Sequence, residues 1–231
     1  MSSSTFNQRL DQVLEQAAQA AHRAGRAVDE ITLVGVSKRK PVEAMQAAYT
    51  AGLRHFGENR AQEVRDKFPA FDPEGITRHF IGHLQSNKVK YLPGRVDIIH
   101  TIDSTRIADI VDRRFGAQGL IIPCLVEVNI SGEVNKEGVD PVQALDLANY
   151  CAELPNLDFK GLMTIGPLTD DRERIRQAFR EMKLLTDQII RRVGVMQPML
   201  SMGMSSDFEI AIEEGATHIR VGTAIFGARE Y

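Results

Sequence analysis

The chain has 231 residues, 43% hydrophobic and 26% charged, a length for one domain or two small ones and a composition that excludes disordered and collagen-like classes. Its 28 basic and 31 acidic side chains give a net charge of −3. With no basic excess or stripe, neither nucleic acid nor an acidic membrane surface is an expected partner.

In chain order, Phe6, Leu10, Val13, Leu14, Ala17 and Ala21 recur at helical spacing, with Thr5 and Gln8 as a capping box. The N-terminal Met1-Ser2-Ser3-Ser4 lacks the pattern of a signal peptide. No apolar run approaches the roughly 20 residues that cross a bilayer, so the chain is expected to be cytoplasmic. After the first helix, short runs rich in branched residues alternate with longer helical patterns. The runs are Thr32–Ser37, Arg54–Gly57, Thr77–Gly82, Asp97–Ile102, Ile121–Ile130, Leu157–Met163, Met199–Gly203 and Thr217–Gly222. Helices are predicted from near Val42, Ala61, Asn87, Thr105, Pro141, Asp171 and Asp207. The clearest carries Ile175, Phe179, Met182, Leu185, Ile189 and Val193 on one stripe. Cys124 and Cys151 form no disulfide framework, and neither has a partner at metal-ligand spacing.

Alternation of strand and helix implies a parallel sheet covered by helices, and eight repeats in this length fit a (β/α)8 TIM barrel. A doubly wound open sheet is the alternative. It would require fewer strands and a glycine fingerprint after the first, where this chain has Val36-Ser37-Lys38-Arg39-Lys40-Pro41.

In such barrels the chemistry gathers where the strands end. Those ends deliver Lys38, Glu58-Asn59, Gly82-His83, Asn129, Met163-Thr164, Ser201 to Ser206, and Arg220 to Thr223, with no carboxylate pair and no histidine cluster evident. Lys38 shares the alternating face of Thr32, Val34 and Val36, so a partly desolvated amine there becomes a nucleophile toward carbonyls. The bland account is a solvated basic run, Lys38-Arg39-Lys40, before a helix. Ser205-Ser206-Asp207 precedes a helix, with Ser206 and Glu209 as a capping box. Gly203 and Gly222-Thr223 add close backbone approach and N–H donors for a phosphate. That cup is expected across the mouth from Lys38. Arg220 alternates away from Ile219 and Val221, and pairs with Glu58, with Glu127 or with a ligand. His83 is expected to cap its turn, and Asn59 and Asn129 equally to satisfy backbone groups at strand ends.

A lysine nucleophile, a phosphate cup and an inward arginine together suggest pyridoxal 5′-phosphate (PLP). The segments Val36-Ser37-Lys38, His55-Phe56-Gly57-Glu58-Asn59, His79 to Lys88, Gly161-Leu162-Met163, Leu200 to Ser205 and Arg220 to Gly227 resemble, in order, the pyridoxal phosphate homeostasis proteins. These are relatives of the alanine racemase barrel domain. The resemblance covers nearly the whole chain; one departure is His83, where members often carry proline. It implies one PLP-binding barrel domain over residues 1–231, with Lys38 holding the cofactor as a Schiff base. It further implies Ser205, Gly222 and Thr223 on the phosphate, Arg220 facing the pyridine nitrogen, and Asn59 and Met163 near the ring. The family also implies a cytoplasmic, monomeric carrier that buffers PLP or passes it to apo-enzymes and affects amino- and keto-acid balance, with no established catalytic turnover. An amino-acid racemase is the enzymatic alternative, and a Schiff-base aldolase acting on sugar phosphates an outside one. Racemisation requires a base on each face, and Tyr49, Tyr91, Tyr150 and Tyr231 fall in helices, at their ends or at the terminus, with none clearly reaching Lys38.

Overall fold

The computed structural model describes residues 3–133 and 136–227. Eight parallel strands close into a barrel in sequential order: β1 (Thr32–Val36), β2 (His55–Glu58), β3 (Thr77–Phe80), β4 (Ile98–Ile102), β5 (Ile122–Glu127), β6 (Leu157–Met163), β7 (Met199–Ser201) and β8 (His218–Val221). The open-sheet alternative is thereby excluded, since β8 pairs with β1, Val34 opposite Arg220. The covering helices are α1 (Ser3–Arg23), α2 (Val42–Thr50), α3 (Ala61–Lys67), α4 (Thr105–Gly116), α5 (Ala144–Glu153), α6 (Arg172–Val193), α7 (Phe208–Glu213) and α8 (Thr223–Phe226).

The α6 helix forms where its apolar stripe predicts it. Asp171 Oδ1 accepts from the backbone N–H groups of Glu173 and Arg174 at 3.0 and 3.2 Å, and Gly194 ends the helix at φ 82°. Ile175, Phe179, Met182 and Ile189 are buried, and Phe179 alone contributes about 3 kcal/mol of apolar burial. The α1 helix lays Phe6, Leu10, Val13 and Ala17 against the barrel, Phe6 meeting the Phe226 ring edge-on at 5.6 Å. Leu14, assigned to that stripe from sequence, is 46% exposed. Because α1 begins at Ser3, Thr5 lies inside its first turn rather than before it.

Two predicted helices are shorter than the sequence suggests. The stretch from Asn87 forms only a single 3-10 turn, Val89–Tyr91. Pro141 opens another such turn, Pro141–Gln143, before α5 begins at Ala144. Gly161 is required where it stands. Its φ is +147°, and a Cβ there would sit 2.0 Å from the Met199 carbonyl oxygen on β7.

Most of the apolar core lies between strands and helices. The barrel interior is different in kind, adding His79, His100, His218, Ser201, Arg220 and Glu127 to buried Val34 and Val36.

Candidate functional site

The strand ends surround a cavity of about 470 Å³ walled by Val36, Lys38, Asn59, Glu127, Ser205, Arg220, Gly222 and Thr223, among others. Six of the seven residues singled out as cofactor contacts from sequence are therefore in one wall. The seventh, Met163, is fully buried at the end of β6; Ile165, two residues on, faces the cavity in its place.

Lys38 stands on a fixed base. The preceding Ser37 donates from Oγ to Glu58 Oε1 at 2.7 Å, and its carbonyl accepts from Lys67 Nζ at 2.9 Å. The following Arg39 has φ 59°, and its N–H donates to Glu63 Oε2 at 2.7 Å. Both neighbours of Lys38 are thus held by α3, through Glu63 and Lys67. Lys67 also reaches Glu58 Oε1 at 2.9 Å. Burial pushes the Glu58 carboxyl up to about 7 against the pull of Lys67, and among the described residues its Oε2 has no hydrogen-bond partner.

The seventh and eighth strand ends bring Ser205, Gly222 and Thr223 together as a cup in the cavity wall, without the helix cap expected there. Asp207, not Ser206, precedes α7; its Oδ1 accepts from the Met204 N–H at 2.5 Å, while Glu209 turns outward to Arg23 at 2.8 Å. Asp207 is buried, which raises its carboxyl. The Ser206–Glu209 capping box is therefore absent, because Ser206 stands one residue before the cap position and Asp207, which holds it, turns its side chain back to Met204 and makes no cap hydrogen bond to α7. Ser205 Oγ accepts long hydrogen bonds from the N–H groups of Gly222 and Ala224, at 3.3 and 3.4 Å. A side chain at Gly203 is blocked, since its φ is +90° and a Cβ would lie 2.5 Å from that of Ala211. Because β8 is hydrogen-bonded to β1, this cup lies beside the Lys38 stave, not across the mouth from it.

Arg220 is buried yet bonded to neither carboxylate proposed for it. Its Nη1 donates to Ser201 Oγ at 2.6 Å and its Nη2 to the Thr164 carbonyl at 2.8 Å. Burial pulls the guanidinium down to about 10, with Glu127 and Asp207 opposing the shift. Glu58 belongs to Lys67 instead. Glu127 is 4% exposed and lines the cavity from β5, the stave diametrically opposite β1 in an eight-strand barrel. Burial first, then Asp103 and Glu137, push its carboxyl up to about 7, although Arg220 opposes them; among the described residues its Oε2 has no hydrogen-bond partner.

His83 does not cap its turn. Its Nδ1 lies 3.6 Å from Asp103 and 3.2 Å from Glu137 on the rim. These three offer ligand atoms within 4.8 Å of one another, the group among the described residues spaced to hold an ion, and two of them are exposed. Asn129 serves its own loop, Nδ2 donating to the Glu133 carbonyl at 2.9 Å. Tyr49 and Tyr150 are engaged away from the mouth, with the Glu74 carbonyl and Asp109, while Tyr231 lies outside the described residues.

Two features escaped the sequence reading. One is the burial of the Glu58 and Glu127 carboxyls, each with an Oε2 that has no hydrogen-bond partner among the described residues. The other is a row of rings inside the barrel: His55 Nδ1 to His79 Nε2 at 3.0 Å, His79 Nδ1 to His100 Nε2 at 2.8 Å, and His100 Nδ1 to Ser201 Oγ at 3.0 Å. The expectation of no histidine cluster is corrected accordingly. Its histidines stand singly on three strands, and only the inward face of each strand, taken together, could have revealed them.

The family described as "Alanine racemase, N-terminal domain" matches residues 9–230. A relative from Aquifex aeolicus, named "Pyridoxal phosphate homeostasis protein", is 45% identical over 97% of this chain and 98% of its own length. The chain belongs to that family. Family members of known structure superpose closely. An unknown protein from Bifidobacterium adolescentis matches with TM-score 0.91 at 36% identity, over 96% of this chain and 95% of its own. PipY of Synechococcus elongatus, whose structure has PLP bound, matches with TM-score 0.80 at 33% identity, over 92% of this chain and all of its own. Among the described residues no helix is long and apolar enough to cross a membrane.

Proposed function

We propose that the cavity binds pyridoxal 5′-phosphate, with Lys38 as its covalent anchor, and that the chain carries and buffers this cofactor rather than turning over a substrate. The observation that carries the reading is the convergence of an amine, an anion cup and a buried guanidinium on one cavity, in a chain whose relative PipY has PLP bound. The residues fit the group. Lys38 meets the aldehyde, and Ser205 and Thr223 supply hydroxyl donors for a dianionic phosphate, with the Gly222 and Ala224 N–H groups, held only by long bonds to Ser205 Oγ, able to turn to it. Asn59 lines the wall beside them, and Met163 backs it from the interior.

When bound, the group supplies an electrophilic carbonyl and, once its ring nitrogen is protonated, an electron sink. This chain withholds the second property. Arg220 stays charged at neutral pH, fixed by Ser201 and Thr164, and if it faces the ring nitrogen this permanent cation would disfavour a proton there. Lys38 would hold the aldehyde covalently, one water leaving as the bond forms and one returning on release. Half-exposed Ile165 and Met204 leave the mouth open to solvent and to a receiving apo-enzyme. The buried free thiols of Cys124 and Cys151 favour a reducing, cytoplasmic setting. We read residues 1–231 as one such domain acting as a monomer.

One observation favours an amino-acid racemase-like activity as the second reading. Glu127, with its carboxyl near 7 opposite Lys38, has the protonation range of a second base. The two readings separate in heavy water. A carrier transfers PLP to an added apo-enzyme and leaves amino-acid α-protons in place, whereas a racemase exchanges them at a rate that Glu127→Gln abolishes.

A further inference from the structure

The histidine row has a direction that its chemistry fixes. Arginine can only donate, so Ser201 Oγ accepts from Arg220 Nη1 at 2.6 Å. The hydroxyl has one proton, and its other partner is His100 Nδ1, at 3.0 Å. His100 therefore accepts at Nδ1 and carries its proton on Nε2, which donates 2.8 Å to His79 Nδ1. By the same step His79 is protonated on Nε2 and donates 3.0 Å to His55 Nδ1, leaving His55 with its proton on the outer nitrogen. His79 and His100 are buried, with His218 packed against both rings at 6.3 Å. Burial holds both rings neutral, and their surroundings push the same way, His55 and His218 on His79, and His79, His218 and Arg220 on His100.

An opposite polarity would place a second N–H against Ser201 Oγ and leave its hydroxyl proton without a partner in a buried site, a cost of about 1–3 kcal/mol. One polarity is therefore selected, and it runs away from the guanidinium through three strands. Aligned hydrogen bonds polarise one another, so each ring makes Ser201 a better acceptor.

Resting on the carrier reading, we propose that His100 and His79 are positioning residues for Arg220: acting through Ser201, their fixed tautomers lock the guanidinium against the end of the cavity that receives the cofactor ring. Neither histidine lines the cavity, so the effect is indirect.

The test uses nitrogen-15 spectra of histidine rings and arginine side chains in the full chain without added cofactor. It compares wild type with Ser201→Ala, His100→Leu and His100→Gln, then titrates each with PLP. In wild type His55, His79 and His100 are expected protonated on Nε2 alone, with the Arg220 Nη groups resolved and slow to rotate. His100→Leu and Ser201→Ala are expected to average the Arg220 signals and to weaken PLP binding about tenfold, the loss of one charge-assisted hydrogen bond. Glutamine at position 100 keeps one acceptor and one donor and is expected to restore both readouts. Ser201→Ala removes a single atom, so it carries the test if His100→Leu fails to fold. A proton on His100 Nδ1, or unchanged Arg220 signals and affinity in the folded variants, overturns the proposal. A wild type that takes up no PLP refutes the carrier reading alone, because the guanidinium signals still decide this one.

Discussion

Glu127→Gln should make the protein more stable, and more so as pH rises. The carboxyl titrates at 4.5 in an open chain and at about 7 in the fold, where burial penalises its charge more than Arg220 compensates. Between those values the folded protein holds a proton that the unfolded chain has released. The wild type therefore loses stability as pH rises from 4.5 to about 7 and levels off above, the sign expected for a raised acid. Glutamine mimics the protonated carboxyl and has no such dependence. The two titration points give wild type a penalty of about 1 kcal/mol near pH 5 and about 3 kcal/mol near pH 8. The stability gap between variant and wild type should thus widen by about 2.5 kcal/mol, which is on the order of 5–10 °C in Tm for a chain of this size. Urea unfolding of both proteins at the two pH values, after removal of small ligands, measures it. A gap that stays constant, or narrows as pH rises, would refute the burial argument for Glu127.

Three further outcomes follow from particular contacts. Lys67→Met removes the cation from buried Glu58 and from the Ser37 carbonyl, and should cost about 3–5 kcal/mol in the same urea assay. Gly161→Ala places a methyl group into the Met199 carbonyl at a φ that side chains avoid, so thermal melting should drop by several degrees or the chain should fail to fold. Ser205→Ala removes an oxygen that organises the Gly222 and Ala224 N–H groups, and should weaken PLP about tenfold in an equilibrium titration while leaving Tm of the free protein within a degree or two.

The barrel was legible in the sequence because its eight strands are short branched runs separated by helical patterns, and β6 ends where the periodicity puts it, at Met163. The helix expected from Asn87 was not, since a stretch that bonds only one 3-10 turn carries the same local pattern as a longer helix. The places of Lys38, Ser205, Gly222 and Thr223 in the cavity wall were legible because a strand end or a glycine turn marks each one. The partners that tune them were not. Lys67 lies thirty positions from the Ser37 carbonyl it holds, and Ser201 meets His100 across a hundred residues of chain. The return of α3 to the end of β1 makes the first pair and closure of the barrel the second, and no local spacing encodes either. Arg220 shows the same limit: alternation turns it inward, but whether it meets Glu58, Glu127 or a hydroxyl is decided by register around the ring.

The covalent anchor is the claim on which the carrier account depends. Incubation with PLP, reduction with borohydride, digestion and mass mapping read it directly. The account predicts a single reduced phosphopyridoxyl adduct, on the peptide containing Lys38, and its disappearance in Lys38→Ala. An adduct on Lys40, Lys67 or any other amine, or a wild type that takes up none, would contradict it.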